Sequence, residues 1–294
     1  MITTPQAKLQ GESPLGSDNC SVFFEAREIV AEAVDKYQPT HLFGLLSGGH
    51  DSLCACHIAS QHPAFSGVLH FNTGIGIEET RQYVRETCRK MGWPLNEYHP
   101  PKSYAQIVEE NGFPGPAQHW RMYIQLKERC LRQAKREHGE KRRKLAFVSG
   151  VREDESTRRM LSTGTARYAV NGRELWINPI IRWGNHDKNV YINEHGLDRN
   201  QVTADLCMSG ECLCGAFAKP GELEVIRYHY PKAAEEIDRI ADLARKAGKH
   251  CVWGTRPPKD EPGQELMPFL PLCTSCEFKF SAQNAIGEAR REGR

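Results

Sequence analysis

The sequence predicts an α/β fold in which a doubly wound parallel sheet precedes a smaller, mainly helical region with clustered cysteines. Three observations predict it. Short apolar runs alternate with helix-like stretches as far as about residue 180, which is typical of parallel sheets. A glycine-rich turn follows the first apolar run. Six of the eleven cysteines lie beyond residue 200, and five of them form two short groups at 207–214 and 273–276.

We expect three parts: a loose polar lead-in over 1–20, a sheet domain over 21–180 and a cysteine-cluster region over 181–294. In the sheet domain, strands are predicted at 42–46, 66–71, 95–98 and 145–150, and helices at 22–37, 53–61, 78–91, 103–111 and 121–137. Further helices are predicted at 187–195, 199–205, 221–230 and 232–247.

Composition narrows the classes of function. The 39 basic and 37 acidic residues leave a net charge of +2, so the chain as a whole is not a polyanion binder. No stretch is long and apolar enough to span a membrane, and no signal-peptide core is visible near residue 1. We therefore expect a cytoplasmic protein with no membrane partner. The scattered cysteines sit mainly in apolar or helical settings that suit buried thiols: Cys20, Cys54, Cys56, Cys88, Cys130 and Cys251.

The glycine-rich turn is the strongest candidate for a binding site. It joins strand 42–46 to helix 53–61 and consists of Ser47, Gly48, Gly49, His50, Asp51 and Ser52. Glycines let backbone amides approach an anion, and the positive end of the following helix favours negative charge. The loop lacks the Lys-Ser/Thr ending of a Walker A loop. The pattern predicts a phosphate site, and the alternative is a strand-to-helix turn without a ligand.

Two other turns should reach the same sheet edge. Asn72 and Thr73 follow strand 66–71, and Gly150 ends strand 145–150. Ligands of open parallel sheets bind at the carboxyl ends of strands. Beyond Gly150, Arg152 and Arg159 suit phosphate binding, and Asp51 or Asp154 suits Mg²⁺. The alternative is a solvated, charged start of a helix.

Helix 121–137 has two faces at 100° per residue. The apolar face holds Met122, Leu126, Cys130, Leu131 and Ala134. The opposite face is basic and holds Arg121, Arg129, Arg132, Lys135 and Arg136. Lys127 alone among the bases points to the apolar side, so we expect it either to meet a nucleotide phosphate or to snorkel. The basic face is either merely solvated or a footprint for DNA or RNA.

The clustered cysteines are Cys207, Cys212, Cys214, Cys273 and Cys276. Four thiolates suit a [4Fe-4S] cluster or tetrahedral Zn²⁺, which leaves one cysteine surplus. On an extended segment Cys212 and Cys214 would face opposite ways, so we expect Cys214 or Cys207 to be the surplus residue. The surplus thiol would suit a persulfide. The alternative is a set of buried free thiols.

Several segments resemble one family in order along the chain. The loop of residues 47–52 resembles the pyrophosphate (PP) loop of ATP pyrophosphatases, which cleave ATP between the α and β phosphates. The segments at 71–80, 150–159 and 176–191 resemble those of phosphoadenosine-phosphosulfate (PAPS) reductase-like proteins, whose fold is adenine nucleotide α-hydrolase-like. The resemblance implies adenine near residues 69–73, and ATP or phosphate contacts from the six loop residues with Asn72, Thr73, Gly150, Arg152 and Arg159. We expect catalytic roles for Asp51 and Arg152 at the nucleotide, and for Lys127 because of its inward position. The resemblance also favours iron–sulfur over Zn²⁺.

The departures from the family pattern point to one branch. Neither the C-terminal catalytic cysteine of the PAPS reductases nor the Cys-Cys pair of the adenosine-phosphosulfate reductases is present. The chain resembles the ATP pyrophosphatase component of bacterial DNA phosphorothioation systems. That resemblance implies MgATP as substrate, adenylation of a nucleic-acid oxygen (DNA more than tRNA), and sulfur from a cysteine desulfurase or another carrier. The alternatives are a tRNA-thiolating enzyme, a divergent sulfonucleotide reductase and a non-enzymatic nucleic-acid adaptor.

Overall fold

The sheet of this protein is six-stranded and mostly parallel. In the computed structural model the described residues are 17–140, 143–153 and 166–255. The strands are β1 (His41–Leu45), β2 (Phe65–Phe71), β3 (Leu95–Tyr98), β4 (Leu145–Val148), β5 (Tyr168–Asn171) and β6 (Glu174–Ile177). Their spatial order is β3-β2-β1-β4-β6-β5. All neighbours pair in parallel except β5 and β6, which form an antiparallel hairpin at one edge.

Helices cover both faces of the sheet. They are α1 (Ser17–Tyr37), α2 (His50–Ser60), α3 (Glu78–Met91), α4 (Tyr104–Asn111), α5 (His119–Tyr123), α6 (Arg129–His138), α7 (Asn185–Glu194), α8 (Gln201–Leu206), α9 (Glu222–His229) and α10 (Pro231–Lys246). A 3₁₀ turn (Pro116–Gln118) precedes α5, and a π-helical turn (Ile124–Glu128) joins α5 to α6. In the described part of the chain we find no helix with the length and apolar character of a membrane span.

Three apolar clusters hold the layers together. The largest packs α1, α2 and α7 against one sheet face, through residues such as Leu42, Ile58 and Tyr191. A second cluster covers the other face and includes Phe43, Phe147 and the apolar side of α6. The third joins α4 to the C-terminal helices. Burial of apolar surface in each cluster stabilises the packed layers by a free energy of about 25 cal/mol for each Å² removed from water.

The prediction of a doubly wound α/β fold is confirmed, with two differences in detail. The β5–β6 hairpin was not predicted, and it adds the antiparallel edge. The predicted helix 121–137 is three consecutive helical pieces, because the π turn inserts an extra residue. The proposed boundary near residue 180 stays a prediction. The third cluster draws side chains from both sides of it, including Tyr104 and Ile237.

The burial of the scattered cysteines agrees with the sequence analysis. Cys54, Cys56, Cys88 and Cys130 are all buried as free thiols. Burial raises the pKa of each thiol, to about 11 for Cys130 and about 12 for Cys88. These thiols are therefore protonated at neutral pH and act as small apolar side chains. The side chain of Cys20 lies outside the described residues, and Cys251 is half-buried.

Candidate active site

The glycine loop lies where the strand order reverses. The connection after β1 leads outward to β2, while β4 pairs with β1 on its other side, so a crevice opens between their carboxyl ends. The chain after β4 touches the loop closely. A Cβ on Gly150 would lie 2.5 Å from the carbonyl carbon of Asp51 and from the Ser52 nitrogen. Only glycine fits at this contact.

The loop is ordered by its own hydroxyl groups. Gly48 adopts a φ of +83°, which favours glycine. The Ser52 hydroxyl donates to the Gly49 carbonyl at 2.8 Å and accepts from the Ser47 amide at 3.2 Å. Gly49 caps α2 without a side-chain hydrogen bond, so the first amides of α2 have no side-chain acceptor at the cap. The site thus has the features of an anion cradle, with the positive helix end directed at it.

Asp51 and Arg152 form a buried ion pair beside the loop. Arg152 is 4% exposed, and its Nε lies 2.9 Å from Asp51 Oδ1. Lys188 Nζ lies 3.5 Å from the same oxygen. The other Arg152 nitrogens donate to the Trp183 carbonyl at 3.1 Å and to Asn185 Oδ1 at 3.0 Å. Arg152 Nε and Asp51 Oδ1 are both buried, and each has the other as its partner in this ion pair.

His50 is neutral in this site. Burial lowers its pKa to about 4, and the nearby charges of Lys188 and Arg199 lower it further, against an opposing effect of Asp51. Its Nε2 is buried without a hydrogen-bond partner among the described residues. At pH 7 His50 therefore contributes no charge to a bound phosphate.

We expect His50 to make the protein less stable in acid. Its folded pKa of about 4 is lower than that of the unfolded chain, so the unfolded state binds the extra proton below about pH 6.5. Lowering the pH from 7.5 to 5 should therefore reduce the free energy of unfolding by about 2 kcal/mol through this group. Urea unfolding at both values should show a smaller drop in His50→Gln. The exposed His99 provides the control, and an equal drop in His50→Gln and His99→Gln contradicts the prediction.

The second predicted turn is held by hydrogen bonds rather than open to a ligand. The Asn72 amide nitrogen donates to Glu97 Oε1 at 2.7 Å, and its oxygen accepts from the Gly74 amide at 3.0 Å. The Thr73 hydroxyl donates to the Glu211 carbonyl at 2.9 Å. Both side chains are buried. They lie at the carboxyl end of β2, next to the loop that follows β1, as predicted.

Lys127 meets a carboxylate of the cysteine region. Its Nζ lies 2.6 Å from Glu211 Oε2, and Glu211 is 5% exposed. Neither expectation for Lys127, a phosphate contact or a snorkelling side chain, includes this pair. Glu211 Oε1 is buried and has no hydrogen-bond partner among the described residues. An inward lysine requires a nearby anion, but sequence alone did not identify Glu211, which is 84 residues away.

Removing Lys127 should leave Glu211 as a buried charge without its cation. We expect Lys127→Met to lower the free energy of unfolding by about 2 kcal/mol, since an unpaired buried charged group loses its compensation. The double variant Lys127→Met/Glu211→Gln should recover part of that loss. Denaturant unfolding of the two single variants and the double variant measures the coupling. Additive losses would show that the two side chains do not depend on each other.

The segment 209–213 lies along the turn after β2 and closes the site from the C-terminal side. The Thr80 hydroxyl donates to the Ser209 carbonyl at 2.6 Å, and the Ile77 amide donates to the Gly210 carbonyl at 2.8 Å. Asn200, at the start of α8, donates to the Gly48 carbonyl at 2.9 Å. Sequence analysis missed Asn200 and Lys188, because neither belongs to a motif and both come from helices distant in sequence.

Two of the predicted cysteine ligands lie together. The thiols of Cys212 and Cys214 share a hydrogen bond, so the expectation that they face opposite ways is wrong. The segment is not an extended strand. Tyr104 donates to the Cys214 carbonyl at 2.7 Å, and Trp253 donates to the Leu213 carbonyl at 2.8 Å. The hydrogen bond from Cys212 lowers the pKa of the Cys214 thiol and raises that of Cys212.

The predicted metal ligands lie only partly within the described residues. There, no three His, Cys, Asp or Glu side chains are arranged to hold a metal ion. Cys212 and Cys214 supply two sulfur donors, and Cys207 ends α8 nearby in sequence. Cys273 and Cys276 lie outside the described residues, as does Arg159. The residues present fit half of a four-thiolate set.

The basic face of α5 and α6 is partly neutralised within the chain. Arg132 Nε lies 3.1 Å from Glu128, and Lys135 pairs with Glu174. Arg121 and Arg136 are exposed. The predicted apolar face is confirmed, since Met122, Leu126, Cys130, Leu131 and Ala134 are all buried. Nucleic-acid binding by the basic face stays a prediction.

The chain matches a known family over the sheet and the site. Residues 41–209, more than half of the chain, match the phosphoadenosine phosphosulfate reductase domain. The chain belongs to that family. Two relatives, the phosphoadenosine 5'-phosphosulfate reductases of Vibrio vulnificus strains CMCP6 and YJ016, are each 23% identical to it over 232 residues. The match covers 76% of this chain and 81% of each relative.

Solved structures give weaker similarities to this PAPS reductase domain protein. A PAPS reductase from Candida auris, in complex with phosphate, has a TM-score of 0.47 and 17% identity, covering 65% of this chain and 93% of that chain. A U34-tRNA thiolase from Methanococcus maripaludis with its [4Fe-4S] cluster has a TM-score of 0.44 and 14% identity, covering 84% and 87%. The predicted resemblance to PAPS reductase-like proteins is confirmed by the family match.

Proposed function

We propose that this PAPS reductase domain protein is an ATP pyrophosphatase that adenylates a nucleic-acid oxygen, DNA more than tRNA, for sulfur transfer. The observation that carries the proposal is the anion site between β1 and β4. There the start of α2, which has no side-chain cap, lies beside the buried ion pair of Arg152 and Asp51. Lys188 adds a second positive charge. This arrangement suits a leaving group with several negative charges.

The chemistry balances as two displacements. An oxygen of the nucleic acid attacks the α-phosphorus of MgATP, the bond to the bridging oxygen breaks, and pyrophosphate leaves with that electron pair. The terminal sulfur of a persulfide then attacks the activated substrate atom, and AMP leaves with the original oxygen. A second thiol cleaves the sulfur–sulfur bond, which leaves the substrate sulfur as an anion and forms a disulfide. The residues of the loop and Arg152 stabilise the charge that builds up on the leaving pyrophosphate.

Mg²⁺ and the metal of the cysteine region have different roles in this proposal. Mg²⁺ enters with ATP as part of the substrate. We assign it no ligand on Asp51, because Arg152 and Lys188 already lie within ion-pair distance of that carboxylate. Asp154, the other predicted carboxylate, lies outside the described residues. A [4Fe-4S] cluster or Zn²⁺ held by Cys212, Cys214 and other cysteines of the set would anchor this region or bind sulfur.

The test is product analysis after anaerobic purification. The protein is incubated with MgATP in the presence of duplex DNA, tRNA or neither, and AMP and pyrophosphate are quantified. We expect both products in equal amounts, stimulated by DNA, and a loss in Arg152→Ala but not in Arg182→Ala, an exposed control. Iron and zinc are measured on the same sample. Stimulation by tRNA alone supports the thiolating enzyme for tRNA, and an absence of AMP under all conditions overturns the proposal.

A second candidate is a sulfonucleotide reductase. It is supported by the names of the Vibrio vulnificus relatives and by the contact between the Cys212 and Cys214 thiols. One thiolate would attack the sulfur of a sulfonucleotide and release the nucleotide phosphate. The other thiol would then displace sulfite and leave a disulfide for a dithiol reductant. Sulfite released from a sulfonucleotide in the presence of a dithiol, without AMP formation from ATP, would favour this candidate.

A further inference from the structure

We propose that Trp120, Arg121 and Tyr123, here called the stacking face, bind an unpaired base of the nucleic-acid substrate. The inference rests on the proposed function, because it places the substrate whose oxygen the nucleotide site would adenylate. It adds a surface and a substrate form, single-stranded or extruded, that the nucleotide site itself does not specify.

Two neighbouring aromatic rings of the stacking face are exposed to solvent. Trp120 is 58% exposed and Tyr123 is 47% exposed. They lie three residues apart on α5, so they are neighbours on the helix surface. Among the described aromatic side chains only Phe24 and Tyr228 are similarly exposed, and they lie on α1 and α9. Tryptophan and tyrosine rings left open to solvent are the platforms on which unpaired bases stack.

A positive charge adjoins the exposed rings. The Arg121 guanidinium lies 5.3 Å from the ring centroid of Trp120, so a cation adjoins the aromatic surface. Arg136 of α6 is a further exposed cation in this part of the chain. Lys127, Arg132 and Lys135 are each paired with a glutamate. An aromatic ring with adjacent cations complements a base together with the phosphates on either side of it.

The stacking face is connected through side-chain contacts to the candidate active site. Lys127 follows Tyr123 by four residues on the same run of helical turns, and its ammonium contacts Glu211. The Glu211 carbonyl accepts from Thr73 at the carboxyl end of β2. Tyr123 of the stacking face therefore lies about one helical turn from Lys127, which is linked to Thr73 through Glu211.

An unpaired base fits this surface better than a paired one. Inside a duplex both faces of a base are covered by its neighbours, so no ring can stack on it until it is extruded. Reactions on single nucleotides commonly use single strands or extruded nucleotides for this reason. Two adjacent exposed rings provide a receiving surface without a groove.

The test measures binding of a fluorescein-labelled single-stranded oligothymidylate to the full-length protein, compared with a blunt duplex of the same length. We expect tighter binding of the single strand. Trp120→Ala should raise its Kd about tenfold, in line with the stacking contribution of one base. Trp120→Phe should retain most of the affinity, which shows that loss in the alanine variant is not misfolding. Phe24→Ala, which removes an equally exposed ring on α1, should bind as the wild type does.

Salt dependence separates stacking from charge. The slope of log Kd against log salt should be unchanged in Trp120→Ala and reduced by about one phosphate contact in Arg121→Gln. Equal single-strand affinity in Trp120→Ala and wild type would overturn the stacking face, whether or not AMP is formed. Loss of affinity in Trp120→Ala without AMP formation from ATP would keep the stacking face and overturn the proposed chemistry.

Discussion

Replacing Arg152 by alanine is expected to abolish pyrophosphate release and to destabilise the protein. The guanidinium is buried beside Asp51 and donates to Trp183 and Asn185. Removing one partner of a buried ion pair costs about 3 kcal/mol, because the Asp51 carboxylate is left with only the more distant Lys188 as a counter-charge. Removing a preorganised donor from a developing charge lowers turnover by about 100-fold or more. Denaturant unfolding and AMP formation measure the two effects separately.

Two further variants separate folding from chemistry. Arg152→Lys keeps the charge but loses the fork of donors, so we expect stability between those of the alanine variant and wild type, with little turnover. Arg182→Ala removes an exposed arginine from the connection between β6 and α7 and should change neither quantity. If Arg152→Ala unfolds like wild type and still forms AMP at the wild-type rate, the anion site lies elsewhere.

The second large effect is expected from Gly150→Ala. A Cβ at this position would approach the backbone of Asp51 and Ser52 to 2.5 Å, and backbone atoms cannot move aside as a flexible side chain can. Overpacking of this kind costs about 1–3 kcal/mol or more. Because the displaced atoms belong to the glycine loop, where we propose that ATP binds, we also expect ATP binding to weaken about tenfold or more, which corresponds to the loss of at least one charge-assisted hydrogen bond.

Gly184→Ala is the matched control for the clash. Its nearest neighbour outside the local chain would be Asp187 Oδ2 at 3.6 Å, an ordinary contact. Calorimetric titration of each variant with an ATP analogue should show a large change in affinity only in Gly150→Ala. Equal binding by both glycine variants would mean that the exit of β4 does not support the loop.

The sequence was sufficient for the centre of the fold. The runs that became β1, β2 and β4 are strongly apolar and end in glycine-bearing turns, so their pattern predicted both the strands and the edge where the site lies. The hairpin was missed for a physical reason. Three of the four β5 residues are exposed, so no apolar run marks the strand, and its only strand neighbour among the described residues is β6, which pairs with β4 on its other side.

The sequence predicted the residues of the candidate site only where they lie close together along the chain. The loop residues and Arg152 are identified by spacing after a strand. Glu211, Asn200 and Lys188 come from separate segments and become neighbours of the loop only through tertiary packing. The π turn before α6 was also hidden, because a wheel drawn at 100° per residue assumes one regular helix. These features depend on long-range contacts that periodicity does not encode.

The bonds from segment 200–213 to the loop region also determine when the site can form during synthesis. Asn200 and the Gly48 carbonyl are 152 residues apart, and Glu211 and Thr73 are 138 residues apart. At bacterial or eukaryotic translation rates, the ribosome needs on the order of ten seconds to add that length of chain. During this interval the glycine loop of the nascent chain lacks the contacts that segment 200–213 makes with it. A shortened chain that ends before residue 200 would keep the loop in that uncovered state permanently.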